Sequence, residues 1–257
     1  MDVEKINIRV TPKWKHSKEE IWDSTFEPLV QSYQGKHWMP ILVYSLVATM
    51  VVCLLIVCLY QKEIHVDRGE QLVVSLPDRS RVELNSASHL TYRPLLWFVY
   101  RTVHLEGEAY FEVTKGKTFI VTNPRGEIKV LGTKFNAYMR KDGFLVSCLT
   151  GKVAVSSSDQ KVVLTPSMEV RLINNTLKTT QVQDISSSIV WTQQAFSFRH
   201  VPLSQVINEL MRRYDVRLEV DGDIHHFYTA KFVSDTPIND ILNAIESTFD
   251  VTIKVIE

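Results

Sequence analysis

Residues 101–113 read RTVHLEGEAYFEV, and the fold turns on how that stretch is parsed. On either side of Gly107, β-branched and aromatic residues alternate with polar ones. This predicts two strands, Thr102–Leu105 and Ala109–Thr114. Gly107 suits a point where the chain turns or passes close to another backbone, and Gly132 and Gly151 read the same way. Glu108 and Glu112 then share a strand face with Tyr110. Alternation in a half-exposed strand accounts for these two carboxylates, and for Glu106, without catalysis.

The pattern extends outward in both directions. Gln71–Leu76 leads into a turn, Pro77-Asp78-Arg79-Ser80, and Arg81–Leu84 alternates again. Further strands fit Phe119–Thr122, Ile128–Leu131, Lys134–Met139, Phe144–Leu149, Lys152–Ser156, Lys161–Leu164 and Glu169–Leu172. Asp78 and Asn85 are turn residues by type. Between Gln61 and Gln183 no segment is long and periodic enough for a helix, so this part reads as an all-β domain. Leu95–Tyr100 (LLWFVY) is unusually apolar for a loop; it reads as a membrane-proximal or partner-binding patch or, by default, as buried packing.

Upstream, Ile41–Leu59 (ILVYSLVATMVVCLLIVCL) carries no charge. A helix of that length rises about 28 Å, close to the hydrocarbon thickness of a bilayer. Trp38 and Tyr60 fall where interfacial aromatics anchor a span, and Pro40 sits in the first turn. The length before the apolar run and the bulky residues around it argue for an uncleaved anchor over a signal peptide. Lys18 and Lys36 on one side balance Lys62 and Arg68 on the other, so charge alone leaves the orientation open. Overall, 29 Lys+Arg match 29 Asp+Glu, which argues against nucleic acid as a partner. A lone thiol, Cys148, follows the span, and the C-terminal part is compatible with either redox compartment.

Residues 1–37 are too few for a core of their own. Ser17-Lys18-Glu19-Glu20 has capping-box spacing, and Trp22, Phe26 and Val30 form an apolar stripe on the helix that follows. Pro28 is expected to end or kink that helix after Glu27.

The last sixty residues contain a duplication at an offset of 35. It pairs Pro202 with Pro237, Leu203 with Ile238, Val206 with Ile241, Leu210 with Ile245, Tyr214 with Phe249, and Val216 with Val251. Each copy reads as strand, helix, strand, with proline opening the helix. Two such units with their helices on one side of a small sheet make a compact α/β module. His225-His226 lacks a third ligand nearby in sequence. No nucleophile elbow, phosphate loop or zinc-protease motif is present.

The strings Leu76-Pro77-Asp78-Arg79-Ser80, Val82-Glu83-Leu84-Asn85-Ser86 and Ser88-His89-Leu90-Thr91-Tyr92 resemble the opening of the FecR domain. Gly107-Glu108-Ala109-Tyr110-Phe111-Glu112-Val113 and Leu131-Gly132-Thr133-Lys134-Phe135-Asn136 continue the resemblance in order and spacing. Pro77, Asp78, Asn85, Gly107, Glu108, Phe111, Gly132 and Phe135 carry the pattern. Arg79 departs from it: the family usually has glycine there, so the turn is expected to avoid a left-handed backbone. The C-terminal repeat resembles the short N-terminal domain of secretins and TonB-dependent receptors.

The resemblance implies four parts: a cytoplasmic anti-sigma tail (1–37), a transmembrane helix (38–60), a periplasmic FecR domain (61–185) and the α/β module (191–257). It implies a non-enzymatic inner-membrane anti-sigma factor, N-terminus inside. Such a protein relays a signal from the N-terminal extension of a TonB-dependent outer-membrane transporter to an extracytoplasmic-function sigma factor. Trp22, Phe26 and Val30 are the expected sigma contact. No cofactor, metal or small-molecule substrate is expected. Tails in this family are usually longer, so the alternative is a membrane-anchored periplasmic protein-binding module without sigma control.

Overall fold

The computed structural model describes residues 13, 15–34, 38–233 and 235–256, and of 28–34 the backbone alone. Helix α1 spans Lys18–Gln34. Its start is a reciprocal capping box: the Glu20 amide donates to Ser17 Oγ and the Ser17 amide to Glu20 Oε2, both at 3.1 Å. The helix does not end at Glu27 but continues past Pro28. Proline deprives it of one N–H donor, and the turns on either side carry the chain through.

Helix α2, Trp38–Leu59, is long and apolar enough to cross a membrane. Its hydroxyls are satisfied along its own backbone, Ser45 Oγ donating to Leu42 O at 2.9 Å and Thr49 Oγ1 to Ser45 O at 2.8 Å. Polar groups inside lipid need such internal partners.

Thirteen strands follow, from β1 (Lys62–Val66) to β13 (Thr176–Gln181), hydrogen-bonded into one strongly folded sheet. Its hub is β5, which runs unbroken from Arg101 to Glu112 instead of forming two strands. The first half of β5 pairs with β4 (Ser88–Tyr92) and, in parallel, with β6 (Phe119–Asn123). The second half pairs with β3 (Arg81–Leu84) and β8 (Lys134–Arg140). The change of neighbours falls at Gly107, whose φ is +136°. A Cβ there would come within 2.4 Å of Ser88 Oγ, so only glycine fits this corner. Ser88 Oγ secures it by accepting from the Glu108 amide at 3.1 Å and donating to the Glu108 carbonyl at 3.2 Å.

Inward-facing apolar side chains fill the space between the two halves of the sheet. Phe111 and Phe135 stack at 4.9 Å, and Trp97 meets Tyr92 and Phe119 edge-on. Only Trp97 of the Leu95–Tyr100 loop is deeply buried; Leu95, Phe98, Val99 and Tyr100 are exposed, Phe98 to 82%. The loop was expected to pack inside, but the 3-10 turn at Pro94–Leu96 aims a single side chain inward.

The C-terminal segment has β14 (Phe196–Pro202), α3 (Leu203–Arg213), β15 (Arg217–Gly222), β16 (Phe227–Phe232), α4 (Ile238–Glu246) and β17 (Val251–Ile256). The strands make two separate antiparallel ladders, β14 with β16 and β15 with β17, not one small sheet. Each strand pairs with its counterpart in the other copy, which splits the ladders. Leu203, Val206, Leu210, Ile241 and Ile245 form a core distinct from that of the larger sheet.

The turn from β2 (Leu72–Ser75) to β3 corrects one expectation. Arg79 is left-handed, with φ 66°. Its amide bonds Leu76 O at 2.9 Å, and the Leu76 amide bonds Ser80 O at 2.9 Å. This is a three-residue hairpin loop, which requires a left-handed third residue. Asp78 compensates by accepting from the Ser80 amide at 3.0 Å and by pairing with buried Arg101. Because the Arg79 side chain is exposed, Arg79→Gly is expected to stabilise the chain by roughly 0.5–1 kcal/mol, read as a rise of a few degrees in thermal denaturation of the detergent-solubilised protein.

Candidate functional site

The corner at Gly107 delivers the next side chain, Glu108, to the face of the sheet away from Phe111. Sequence alternation predicts a half-exposed carboxylate there. The structure buries it, 8% exposed, beneath α3 and Trp191. Asn85 Nδ2 donates to Glu108 Oε2 and Asn136 Nδ2 to Glu108 Oε1, each at 2.8 Å. Asn85 Nδ2 also reaches Glu209 Oε1 on α3 at 3.2 Å, and Trp191 Nε1 donates to Asn136 Oδ1 at 3.3 Å. Three residues of the β domain, Asn85, Glu108 and Asn136, therefore share a single polar cluster with Trp191 and with Glu209 of α3.

A second cluster continues along α3. Arg212 bonds Glu209 at 2.8 Å, Asp142 at 3.3 Å and the Tyr138 hydroxyl at 3.1 Å. Asn208 Nδ2 donates to Asp142 Oδ2 at 3.0 Å, and Gln205 Nε2 to the Asp142 carbonyl. Helix α3 thus has two faces: Leu203, Val206, Ile207 and Leu210 enter its own core, while Gln205, Asn208, Glu209 and Arg212 clasp the β domain. A cavity of about 420 Å³ lies alongside, lined among others by Asn136, Tyr138, Phe144, Trp191, Phe198 and Phe227.

The electrostatics follow from burial. The Glu108 carboxyl is raised to about 7, first by loss of solvent and then by the nearby charge of Glu209. Asn136, Arg140 and Asn85 oppose that shift without cancelling it. At Asp142 burial also pushes upward, but Arg212, Tyr138 and Asn208 outweigh it and hold the carboxyl below its usual range. Glu108 can therefore gain or lose a proton near neutral pH while Asp142 stays ionised. The hydrogen bonds and ion pairs of the cluster run between the β domain and α3, an arrangement suited to positional coupling of the two domains.

Of the residues singled out by sequence, Asn85 and Glu108 meet in this clasp, and Phe111 and Phe135 meet beneath it. Gly107 and Gly132 set backbone corners, Gly132 with φ +152° against the Lys115 backbone. Pro77 and Asp78 lie in the loop before β3, where Asp78 pairs with Arg101. Trp22 and Phe26 lie exposed on α1 with rings 4.5 Å apart; the Val30 side chain lies outside the described residues. Trp38 and Pro40 open α2, and Tyr60 follows its last turn. Asn136, Asp142, Trp191, Glu209 and Arg212 were missed as site residues. The polar stripe 205, 208, 209, 212 has the same helical spacing as the apolar one and was the available signal.

The sign of the Glu108 shift fixes its effect on stability. The folded chain binds this proton more tightly than the unfolded chain, so the stabilisation is complete below the ordinary value of 4.5 and is lost as pH rises through about 7. Relative to wild type, Glu108→Gln should therefore gain stability between about pH 5 and about pH 8, by at most roughly 3 kcal/mol. Parallel thermal melts across that range test it; a gap that does not change with pH would refute the assignment.

The chain matches two family models, FecR protein over residues 62–154 and FecR, C-terminal, over residues 195–257. The C-terminal repeat is thus matched by the domain that bears the FecR family's own name. Two crystal structures from Parabacteroides distasonis ATCC 8503, each of a protein proposed to be an anti-sigma factor, are similar to it. One, at 2.50 Å, is 26% identical with a TM-score of 0.71, covering 77% of this chain and 99% of that chain. The other, at 1.65 Å, is 26% identical with a TM-score of 0.70, covering 76% and 100%. No curated protein matches. With a β-rich FecR domain and the FecR C-terminal domain in that order along one polypeptide, the chain belongs to the FecR family.

Proposed function

We propose that this chain is a single-pass inner-membrane anti-sigma regulator, with α1 in the cytoplasm and the β domain and C-terminal module in the periplasm. Family membership and the description of the Parabacteroides structures support the regulatory role. The observation that carries the sigma contact is the exposed aromatic pair on α1: Trp22 is 63% and Phe26 42% exposed, with Ile21 beside them. A short helix with an uncovered apolar stripe gains most by laying that stripe in a partner's groove. In this reading the partner is an extracytoplasmic-function sigma factor.

The periplasmic part is read as the receiver for the N-terminal extension of a TonB-dependent outer-membrane transporter. The polar clasp supports that role: a change in the C-terminal module reaches the β domain through Glu209 and Arg212. A clasp built from hydrogen bonds and ion pairs can re-form in a second register more readily than a shared apolar core.

Co-purification of the tagged full-length chain from native membranes tests the assignment. The wild type should retain a sigma factor, and Trp22→Ala with Phe26→Ala should weaken that retention at least roughly tenfold, as should deletion of residues 1–33. Loss of Trp191–Glu257 should release the transporter and leave the sigma factor. Retention of a transporter with no sigma factor would instead favour an anchored periplasmic binding module.

A further inference from the structure

Strand β1 is held at the edge of the sheet by β4 alone, in the register Lys62↔Tyr92, Glu63↔Thr91, Ile64↔Leu90, His65↔His89. Residues two apart on one strand and directly opposite on its partner share a face. Ile64 and Val66 use the inner face of β1, so Glu63, His65 and His89 collect on the outer one. The His65 and His89 rings stack with centroids 3.9 Å apart and planes 12° apart. Glu63 Oε2 lies 3.6 Å from His65 Nε2 and 3.9 Å from His89 Nε2.

These distances are informative. They are too long for hydrogen bonds, so the three donors converge without satisfying one another. All the ligand atoms fall within 4.8 Å of each other. Neighbouring ligand atoms on a tetrahedral zinc lie about 3.3 Å apart, from metal–ligand distances of about 2.0–2.1 Å. Small side-chain rotations on a fixed strand pair close that difference. Among the described residues, His104 with Glu106 at 3.6 Å and His226 with Asp223 at 3.7 Å are pairs that lack a third such donor.

We infer that Glu63, His65 and His89 form a surface site for a divalent transition-metal cation, with zinc as its best fit. Two imidazoles and one carboxylate suit zinc, copper or nickel; calcium and magnesium prefer oxygen alone. Three protein ligands leave a fourth position for water, or for Thr91, whose Oγ1 lies 3.2 Å from His89 Nε2. His65 is 65% and Glu63 56% exposed along their side chains, so the ion exchanges with solvent. Bound metal joins β1 to β4 at the His65↔His89 pair, the fourth of five counted from Lys62, and ties the strand that follows α2 to the body of the domain.

Calorimetric titration of the full-length, detergent-solubilised chain with zinc chloride tests the site, using a purification tag free of histidine. The expected result is one ion per chain at about micromolar Kd, with cobalt substitution giving the visible absorption of a tetrahedral centre. His65→Ala with His89→Ala should abolish both signals, whereas His104→Ala and His226→Ala should leave them unchanged. Glu63→Gln, a near-isosteric change at an exposed position, should weaken binding at least roughly tenfold and decides the matter if the double variant misfolds by circular dichroism. No uptake by the wild type at about 100 µM free zinc, or binding unaltered by the histidine or glutamate substitutions, would overturn the assignment.

Discussion

The close approach of Gly107 to Ser88 is the constraint on which the rest of the molecule depends. With no Cβ at this point, β5 can bend through a φ of +136° and serve two sets of neighbours. Its first half builds the wing with β4 and β6, its second half the wing with β3 and β8. Ser88 fills the space a side chain would have occupied and bonds both the amide and the carbonyl of Glu108. The same contact therefore closes the sheet and aims the Glu108 carboxyl at the C-terminal module.

Beyond that corner the β domain and the C-terminal module are joined by polarity, not by a merged core. The larger sheet and the smaller module each bury their own apolar side chains. Between them lie Asn85, Glu108, Asn136, Asp142, Glu209 and Arg212. Buried ion pairs add little net stability compared with apolar contacts of similar volume, yet removing one partner is costly. Such a seam leaves each domain its own apolar core and ties their relative placement to a few polar contacts.

Much of this was legible in the sequence, and the failures have physical causes. Alternation found β3, β6 and β8 because their inward residues are apolar and their outward ones polar. It did not resolve β1, where KEIHV buries only Ile64 and Val66, or β13, where only Leu177 is buried. It divided β5 in two because glycine weakens the strand pattern at the very residue that bends it. Glu108 was read as half-exposed because a strand's own period says nothing of a helix that returns a hundred residues later to cover it. Arg79 was expected to avoid a left-handed backbone on side-chain identity alone, whereas loop length dictated its conformation.

The position of β1 has a mechanical consequence. Lys62 is only three residues beyond the last residue of α2, so any tension carried along the chain from that helix enters the sheet at the Lys62↔Tyr92 pair. An edge strand loaded at one end and held on one side yields by peeling, one residue pair at a time, at far lower force than a strand sheared along its whole length. β1 has five pairs to release, and its departure would uncover Leu90 while leaving β5 and its corner paired. The first element of the domain to feel a pull is thus also the one the remaining sheet can best afford to lose.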